Sequence, residues 1–273
     1  MAITNFIPEV WSSRLLLNFE RDAVFAGVSN REFEGEASKG NTVHIPGIVD
    51  VAIKDYKAAG RTTTADAISD TGVDLLIDQE KSFDFFVDDI DRVQAGRSFD
   101  AYTGSASNGL VQDSDKFLAG LAVTGGTVLA DATAPTDAAS AWSKIEDAAN
   151  ELDLADVPND QRVLIANPHF TKWLTGYDSK LTSVDTSGDS AGLRRATIGE
   201  IAGFRVLKSN NLPGTKAQFV AFHTSALAYA SQISDVEAMR AENKFADRVR
   251  GLHVYGGKLV RPTAVRVYTD TSV

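Results

Sequence analysis

The sequence predicts a mixed α+β fold. Runs in which apolar and polar residues alternate, typical of strands, are interspersed with apolar residues spaced three or four apart, typical of helices. These runs follow no regular strand–helix–strand order, and no internal repeat is present. The 273 residues are 43% hydrophobic and 23% charged, which is the composition of a folded globular chain and not of a disordered one.

The N-terminal segment is apolar and predicts a short amphipathic helix over residues 9–25. Trp11, Leu15 and Phe19 are spaced four apart, so their side chains share one helical face. A terminal segment of this kind needs cover, which either the core of the same chain or a neighbouring subunit can supply. Both possibilities stay open at this point.

Residues 41–88 predict an extended two-stranded arm. Val43 and Ile45 alternate with polar residues, Pro46-Gly47 bends the chain, and a second alternating run extends from residue 73 to residue 87. A polar tip with three consecutive threonines separates the two runs. Because an isolated hairpin is marginally stable, we expect the arm to lie on another surface.

The middle of the chain predicts two helices. Asp88 or Asp89 is a candidate cap for a long helix that ends near Val123, although the glycines within it weaken the helical tendency. Residues 125–134 predict a loop. A 3-4-3 spacing of apolar residues that begins at Trp142 then predicts an amphipathic helix.

The C-terminal half predicts a buried strand and several shorter elements. Asn167-Pro168 ends a buried strand at 162–166 and starts a helix. Gly256-Gly257 lies between two short alternating runs and predicts a tight two-residue hairpin turn. The remaining predictions are a polar loop at 177–191, strands at 204–208 and 219–222, a helical turn at 225–228, and closing strands at 252–255 and 258–260.

Composition excludes several classes of function. The chain has no cysteine, which rules out disulfides and thiolate chemistry and agrees with folding in a cytoplasm. No apolar run reaches about 18 residues and the N-terminus lacks the pattern of a signal peptide, so we expect no membrane association. A net charge of −10 disfavours direct binding of duplex DNA, because phosphate contacts depend on lysine and arginine.

One segment matches a catalytic motif. Residues 188–192 have the G-x-S-x-G pattern, in which an esterase serine lies on a tight turn between a strand and a helix. The residues before it are polar and predict no buried strand, and no oxyanion segment is found. His223 and His253 follow Ser190 in the chain, so a Ser190-dependent esterase stays as an alternative. We expect a surface loop, no catalytic residue and no enzymatic activity.

No metal or cofactor site is predicted. Asp88, Asp89 and Asp91 could hold a divalent cation, but the rest of a calcium loop is missing and a helix start explains these residues better. The four histidines lie far apart in the sequence, and neither a phosphate-binding loop nor a dinucleotide fingerprint is present.

Three C-terminal segments carry a resemblance to a known family. They read RVLIANPHF at 162–170, GEIAGFRVLKSNNLP at 199–213 and FADRVRGLHVYGGKLVRP at 245–262. In this order after an arm, a hairpin and a long helix, they resemble the major capsid (coat) proteins of tailed bacteriophages with the Hong Kong-type capsid fold. An encapsulin-like cellular compartment shell, which shares that fold, is the second possibility.

The resemblance implies a division of the chain into five parts. They are an N-terminal arm (1–40), an extended hairpin loop (41–88), a peripheral domain with a spine helix (89–133), an axial domain at the five-fold and six-fold axes (134–234) and a return to the peripheral domain (235–273). The hairpin would reach over a neighbouring subunit. The candidate inter-subunit contacts are Phe6, Trp11, Lys54, Asp55, Lys57 and Arg61.

The resemblance also implies partners and a location. The protein would self-assemble through pentamers and hexamers into an icosahedral virion capsid that encloses the double-stranded DNA genome without binding it specifically. Because the sequence starts in arm-like residues, a separate scaffolding protein is expected, together with the portal and assembly in the host cytoplasm. Lys54 and Lys57 lie in the hairpin, but no matching asparagine or acid is found, so we predict no covalent cross-link.

Overall fold

A computed structural model describes residues 23–34, 41–47, 53–58, 60–63, 72–88, 100–176, 199–241 and 245–271. The helices are α1 (Phe25–Val28), α2 (Asp100–Gly125), α3 (Ala138–Asp153) and α4 (Pro168–Leu174). The first strands are β1 (Thr42–Ile45), β2 (Val73–Leu76), β3 (Gln79–Asp88), β4 (Thr127–Val128), β5 (Arg162–Ala166) and β6 (Glu200–Ile201). The others are β7 (Phe204–Lys208), β8 (Gln218–His223), β9 (Leu227–Arg240), β10 (Ala246–Leu259) and β11 (Val265–Thr269). The prediction of a mixed α+β fold is confirmed.

A six-stranded sheet forms the larger part of the body, in the order β4-β11-β8-β5-β7-β6. Strand β5 pairs in parallel with β7 and antiparallel with β8. All five residues of β5 are buried because both faces of the sheet are covered. One face packs against α3 and α4, and the other packs against α1 and α2.

Two side-chain caps start the helices that cover this sheet. Asn167 Oδ1 accepts hydrogen bonds from the backbone N–H groups of Phe170 (2.9 Å) and Gln218 (3.1 Å), and Pro168 takes the first helical position of α4. Asp137 caps α3 by accepting a hydrogen bond from the backbone N–H of Ser140 (2.7 Å). The predicted end of the strand at Asn167-Pro168 is therefore confirmed.

A three-stranded antiparallel sheet, in the order β3-β10-β9, forms the second part of the body. Gly256 and Gly257 lie inside β10, opposite Ala230 and Tyr229 of β9. The predicted hairpin turn at these glycines is therefore wrong. The strand continues through the two glycines because the residues before and after them pair with the same long partner strand, β9.

The second half of the predicted arm also belongs to this sheet. Phe83 and Phe85 lie in β3, which pairs along its whole length with β10 and not with β1. Asp88 is the last residue of β3, so the prediction that it caps a helix is wrong; Asp89 and Asp91 lie outside the described residues.

The long helix α2 connects the two sheets. It runs to Gly125, close to the predicted end, and its Phe117 packs edge-on against Tyr255 of β10 with 5.6 Å between ring centroids. The predicted loop after it contains one short strand, β4, which pairs in parallel with β11. The long helix therefore lies against both sheets.

Candidate assembly surfaces

The root of the hairpin arm is fixed to the body by apolar packing. Strands β1 and β2 pair antiparallel, and the backbone N–H of Ile77 donates to the carbonyl of Asn41 (2.8 Å). Alternate side chains of the two strands are buried against small residues of β9 and against β10. These buried residues are Val43, Ile45, Leu75, Ile77, Ala228, Ala230 and Val254.

Gly256 lets the arm cross β10 at close range. A Cβ atom at this position would overlap the carbonyl oxygen of Leu76 and would lie 2.7 Å from Cα of Ile77. Backbone atoms cannot move aside as a side chain can, so the crossing requires glycine. The seat of the arm thus consists of Gly256 and the alanines of β9.

The tip of the arm is a hydrogen-bonded turn on the protein surface. Asp55 Oδ1 accepts hydrogen bonds from the backbone N–H groups of Lys57 (2.9 Å) and Ala58 (3.2 Å). The backbone N–H of Arg61 donates to the carbonyl of Tyr56 (2.9 Å), and Arg61 has a φ of 61°. All described residues of the tip are exposed.

The structure places four of the six predicted contact residues together at this tip. Lys54, Asp55, Lys57 and Arg61 are all exposed there, close in sequence and in space. The tip also exposes two large apolar side chains that the sequence analysis did not select, Ile53 (101% exposed) and Tyr56 (54%). The other two predicted contacts, Phe6 and Trp11, lie outside the described residues, as does most of the predicted N-terminal helix.

A buried carboxylate holds the first described residues against the long helix. Asp115 of α2 is fully buried; its Oδ1 accepts a hydrogen bond from the backbone N–H of Ala26 (3.1 Å) and its Oδ2 accepts one from Asn211 Nδ2 (2.8 Å). Burial raises the pKa of Asp115, against the opposing effect of these hydrogen bonds. Asp115 thereby joins the N-terminal segment to the loop after β7.

A second buried polar cluster lies between the long helix and the three-stranded sheet. His253 Nε2 lies 3.1 Å from Ser231 Oγ and 3.5 Å from Tyr229 Oη, and Tyr255 Oη donates to Asp113 Oδ2 (2.8 Å). Burial lowers the pKa of His253, which favours the neutral ring. The cluster therefore favours the neutral ring and links β9 to β10 through Ser231 and His253.

The candidate catalytic and metal-binding groups do not form a site in the described part of the chain. Ser190 and its G-x-S-x-G segment lie outside the described residues. His223 Nδ1 bonds to Ser225 Oγ (2.8 Å) at the end of β8, whereas His253 belongs to the other sheet. The described residues contain no group of three or more His, Asp or Glu side chains that could hold a metal ion. None of the described helices is both long and apolar enough to span a membrane.

Comparison with known proteins places the chain in a family. The profile of the phage capsid protein family matches residues 76–268. A solved structure from Mycobacterium phage Che8 is 57% identical in sequence, covers 100% of both chains and has a TM-score of 0.92.

The chain belongs to the phage capsid protein family. This major capsid protein of a tailed phage is a subunit of the phage shell, and its place is the virion capsid. The esterase and the cellular compartment are not favoured.

More distant relatives of the capsid protein share its fold. The capsid structure of cyanophage P-SCSP1u is 17% identical, covers 100% of this chain and 95% of that one, and has a TM-score of 0.81. The mature capsid of bacteriophage PhiM1 is 16% identical, covers 98% and 93% of the two chains, and has a TM-score of 0.77. The predicted Hong Kong-type capsid fold is confirmed. No curated protein sequence matches the chain.

The seat of the arm in the capsid protein was not predicted from the sequence. The pattern that indicates this seat is an alternation of small and large residues, in which Leu227 and Tyr229 alternate with Ala226, Ala228 and Ala230. Small residues at every second position of a strand leave one face open for a second element to approach.

Proposed function

We propose that this capsid protein links to its neighbours in the shell through the hairpin arm, and that the arm comprises residues 41–78. The observation that carries the proposal is the contrast between the two ends of the arm. The root is buried against β9 and β10, whereas the tip presents Ile53 and Tyr56 to solvent. Exposed apolar side chains on a turn with its own hydrogen bonds favour contact with another subunit.

The body is proposed to divide as capsid subunits of this fold do. Residues 134–234, with α3, α4 and strands β5 to β8, would form the axial domain around the five-fold and six-fold axes of pentamers and hexamers. Residues 79–133 and 235–273, with the long helix and strands β3 and β10, would form the peripheral domain, and they also contribute the edge strands β4 and β11 to the six-stranded sheet. Residues 79–88, predicted as part of the hairpin loop, would belong to the peripheral domain; the pairing of β3 with β10 supports this change.

The remaining partners are also part of the proposal. A separate scaffolding protein and the portal would direct assembly in the host cytoplasm, and the shell would enclose DNA without binding it specifically. The net charge of −10 supports this last point, because an acidic wall attracts phosphate weakly. Phe6 and Trp11 would contact a neighbouring subunit, and the protein would act without catalysis of its own.

Deletion of residues 54–70 tests the role of the arm. The deletion leaves the root and both sheets intact, so the purified subunit should keep its urea-unfolding midpoint and circular dichroism spectrum. Expression together with the neighbouring phage genes should then yield no closed shells in negative-stain electron microscopy.

A full-length variant controls for the change in length. The double variant Ile53→Ser with Tyr56→Ser keeps the arm at its full length but removes its exposed apolar side chains. It should lower the yield of shells markedly. Shells of normal size and yield from the deletion variant would overturn the proposal.

A further inference from the structure

A groove on the body lies beside the N-terminal segment. It has a volume of about 1040 Å³ and is lined by residues 27–32 and 159–163. The turn between β6 and β7 and the helical turn after β8 complete its lining. The proposed function does not use this groove.

The walls of the groove are held in place by their own hydrogen bonds. Gln161 has a φ of 55°, and its Oε1 accepts a hydrogen bond from Thr224 Oγ1 (2.9 Å). Arg162 is buried; it pairs with Asp153 (2.7 Å), and its Nε donates to the carbonyl of Pro158 (2.8 Å). A wall fixed in this way can receive a partner without a large loss of conformational entropy.

The surface of the groove carries uncompensated negative charge. Glu32 and Asp160 both line the groove, both are exposed, and neither forms an ion pair within the described ranges. Arg31 is paired with Glu34 (3.6 Å) and lies over the ring of Tyr229.

Two further charged residues line the groove as a balanced pair. Glu200 and Arg205 lie directly opposite each other on β6 and β7. Since these two charges offset each other, the carboxylates of Glu32 and Asp160 determine the sign of the groove.

The tip of the arm has the opposite charge. Residues 53–63 carry Lys54, Lys57 and Arg61 and one carboxylate, Asp55, which already accepts two backbone hydrogen bonds; Asp50, Asp66 and Asp70 come before and after this stretch in the sequence. This is a local concentration of cations on a chain whose net charge is −10. Tyr56 beside these cations supplies an aromatic ring of the kind that anchors protein interfaces.

The length of the arm allows the tip to reach another subunit. The loop between Ile45 and Gly72 places the tip about 13 residues from the root, which spans at most about 43 Å at 3.3 Å per residue. That distance exceeds the radius of gyration of about 18 Å expected for a compact chain of this length.

We propose that the groove of one capsid protein receives the arm tip of a second copy. Lys54 and Lys57 of the tip face Glu32 and Asp160 of the groove, and Tyr56 enters between the two walls. This inference rests on the proposed function of the arm and adds the surface on which the arm lies.

A charge-swap experiment tests the pairing. Lys54→Glu with Lys57→Glu, and separately Glu32→Lys with Asp160→Lys, should each reduce the yield of shells at least tenfold. The variant with all four substitutions should regain a yield within about twofold of the unsubstituted protein, because the two surfaces again carry opposite charges. Lys54→Arg with Lys57→Arg is the matched control that keeps the charge.

The outcomes separate this inference from the proposed function. One outcome is that Lys54→Glu with Lys57→Glu abolishes shells, whereas Glu32→Lys with Asp160→Lys neither reduces the yield of shells nor restores it in the variant with all four substitutions. The arm then docks on another surface, so the inference about the groove is overturned while the proposed role of the arm stands. If neither the tip reversal nor the deletion of 54–70 affects assembly, both fail together.

A disulfide experiment tests the contact directly, since the chain has no cysteine of its own. Shells of Tyr56→Cys with Asn159→Cys, oxidised and run on a non-reducing gel, should give a ladder of covalent multimers. Either single-cysteine variant alone should give no ladder beyond dimers. Monomers only, or the internally closed form of a single chain, would contradict docking between copies.

Discussion

The two sheets of the capsid protein differ in what surrounds them. Strands β5, β8 and β11 of the six-stranded sheet are buried on both faces, and helices cover them on each side. The three-stranded sheet exposes Phe86, Met239 and Leu252 on one face, and its ion pairs lie in solvent. The first sheet therefore has a closed core within the subunit, whereas the second leaves apolar side chains of one face open to solvent.

Removing one large aromatic side chain from each sheet gives the strongest test of this difference. Phe219 is fully buried, with its ring 4.7 Å from Phe170 and 5.2 Å from Tyr268 between centroids. Phe219→Ala should lower the free energy of unfolding by about 3–5 kcal/mol, as large cavities in a core do. Phe86→Ala should lower it by less than about 1 kcal/mol, because Phe86 is 53% exposed. Urea unfolding of the unassembled subunit measures both, and equal losses would refute the comparison.

Alanine at Gly256 and at Gly257 of β10 should separate the contact that β10 makes with the arm from the contact that it makes with α2. Gly256→Ala should lower the free energy of unfolding by about 2–3 kcal/mol, because the new methyl group meets the backbone at Leu76 and Ile77. Gly257→Ala meets the end of the Leu118 side chain at 2.7 Å, which can shift, so about 1 kcal/mol is expected. Thermal unfolding of both variants ranks them, and the reverse order would contradict the crossing.

Acid should weaken the junction of the long helix and the three-stranded sheet through His253. Its pKa is lowered in the folded state, so below about pH 6.5 the unfolded chain binds more protons, and the free energy of unfolding falls as the pH falls. The slope from this group is at most about 1.4 kcal/mol per pH unit. His253→Gln should flatten the profile between pH 7 and pH 5, and the exposed His169→Gln is the matched control. An unchanged slope in the His253 variant would contradict the role of burial.

The smallest effect is expected at the exposed ion pairs of the three-stranded sheet. Arg250 donates to Glu237 from two nitrogens, at 3.0 and 2.7 Å, but both side chains are about half exposed. Arg250→Gln should lower the free energy of unfolding by about 0.2–1 kcal/mol at low salt. The loss should disappear at about 1 M salt, where charges are screened within about 3 Å. A loss that persists there would mean that the pair is shielded from solvent.

The same difference explains what the sequence could predict. The buried strand β5 follows from a short apolar run, and the change from strand to helix at Asn167-Pro168 follows from a local turn signal; both predictions are confirmed. Strand β9 was predicted only as a helical turn near its start, because its exposed half mixes apolar and charged residues without a clear period. Solvent-exposed strands give a weak pattern, since little of their surface is buried.

The assembly surfaces depend on contacts that are distant in the sequence. The tip residues Lys54 and Lys57 could be selected because a polar segment between two alternating runs is a local pattern. The role of Gly256 could not be predicted, because the need for glycine there comes from the close approach of the Leu76 backbone, which is 180 positions away in the sequence. A local pair of glycines therefore predicted a turn where the structure has a close crossing.

The fixed root of the arm makes the loop between its two strands a site for inserted peptides. Ile45 and Val73 are held directly opposite each other by the β1–β2 register, so the chain between them is closed at its base whatever its length. Closing a longer loop costs only about 0.6 kcal/mol for each doubling of its length. Foreign peptides inserted between these two positions should therefore leave the subunit folded, and the length tolerated there is limited by the lattice of the shell.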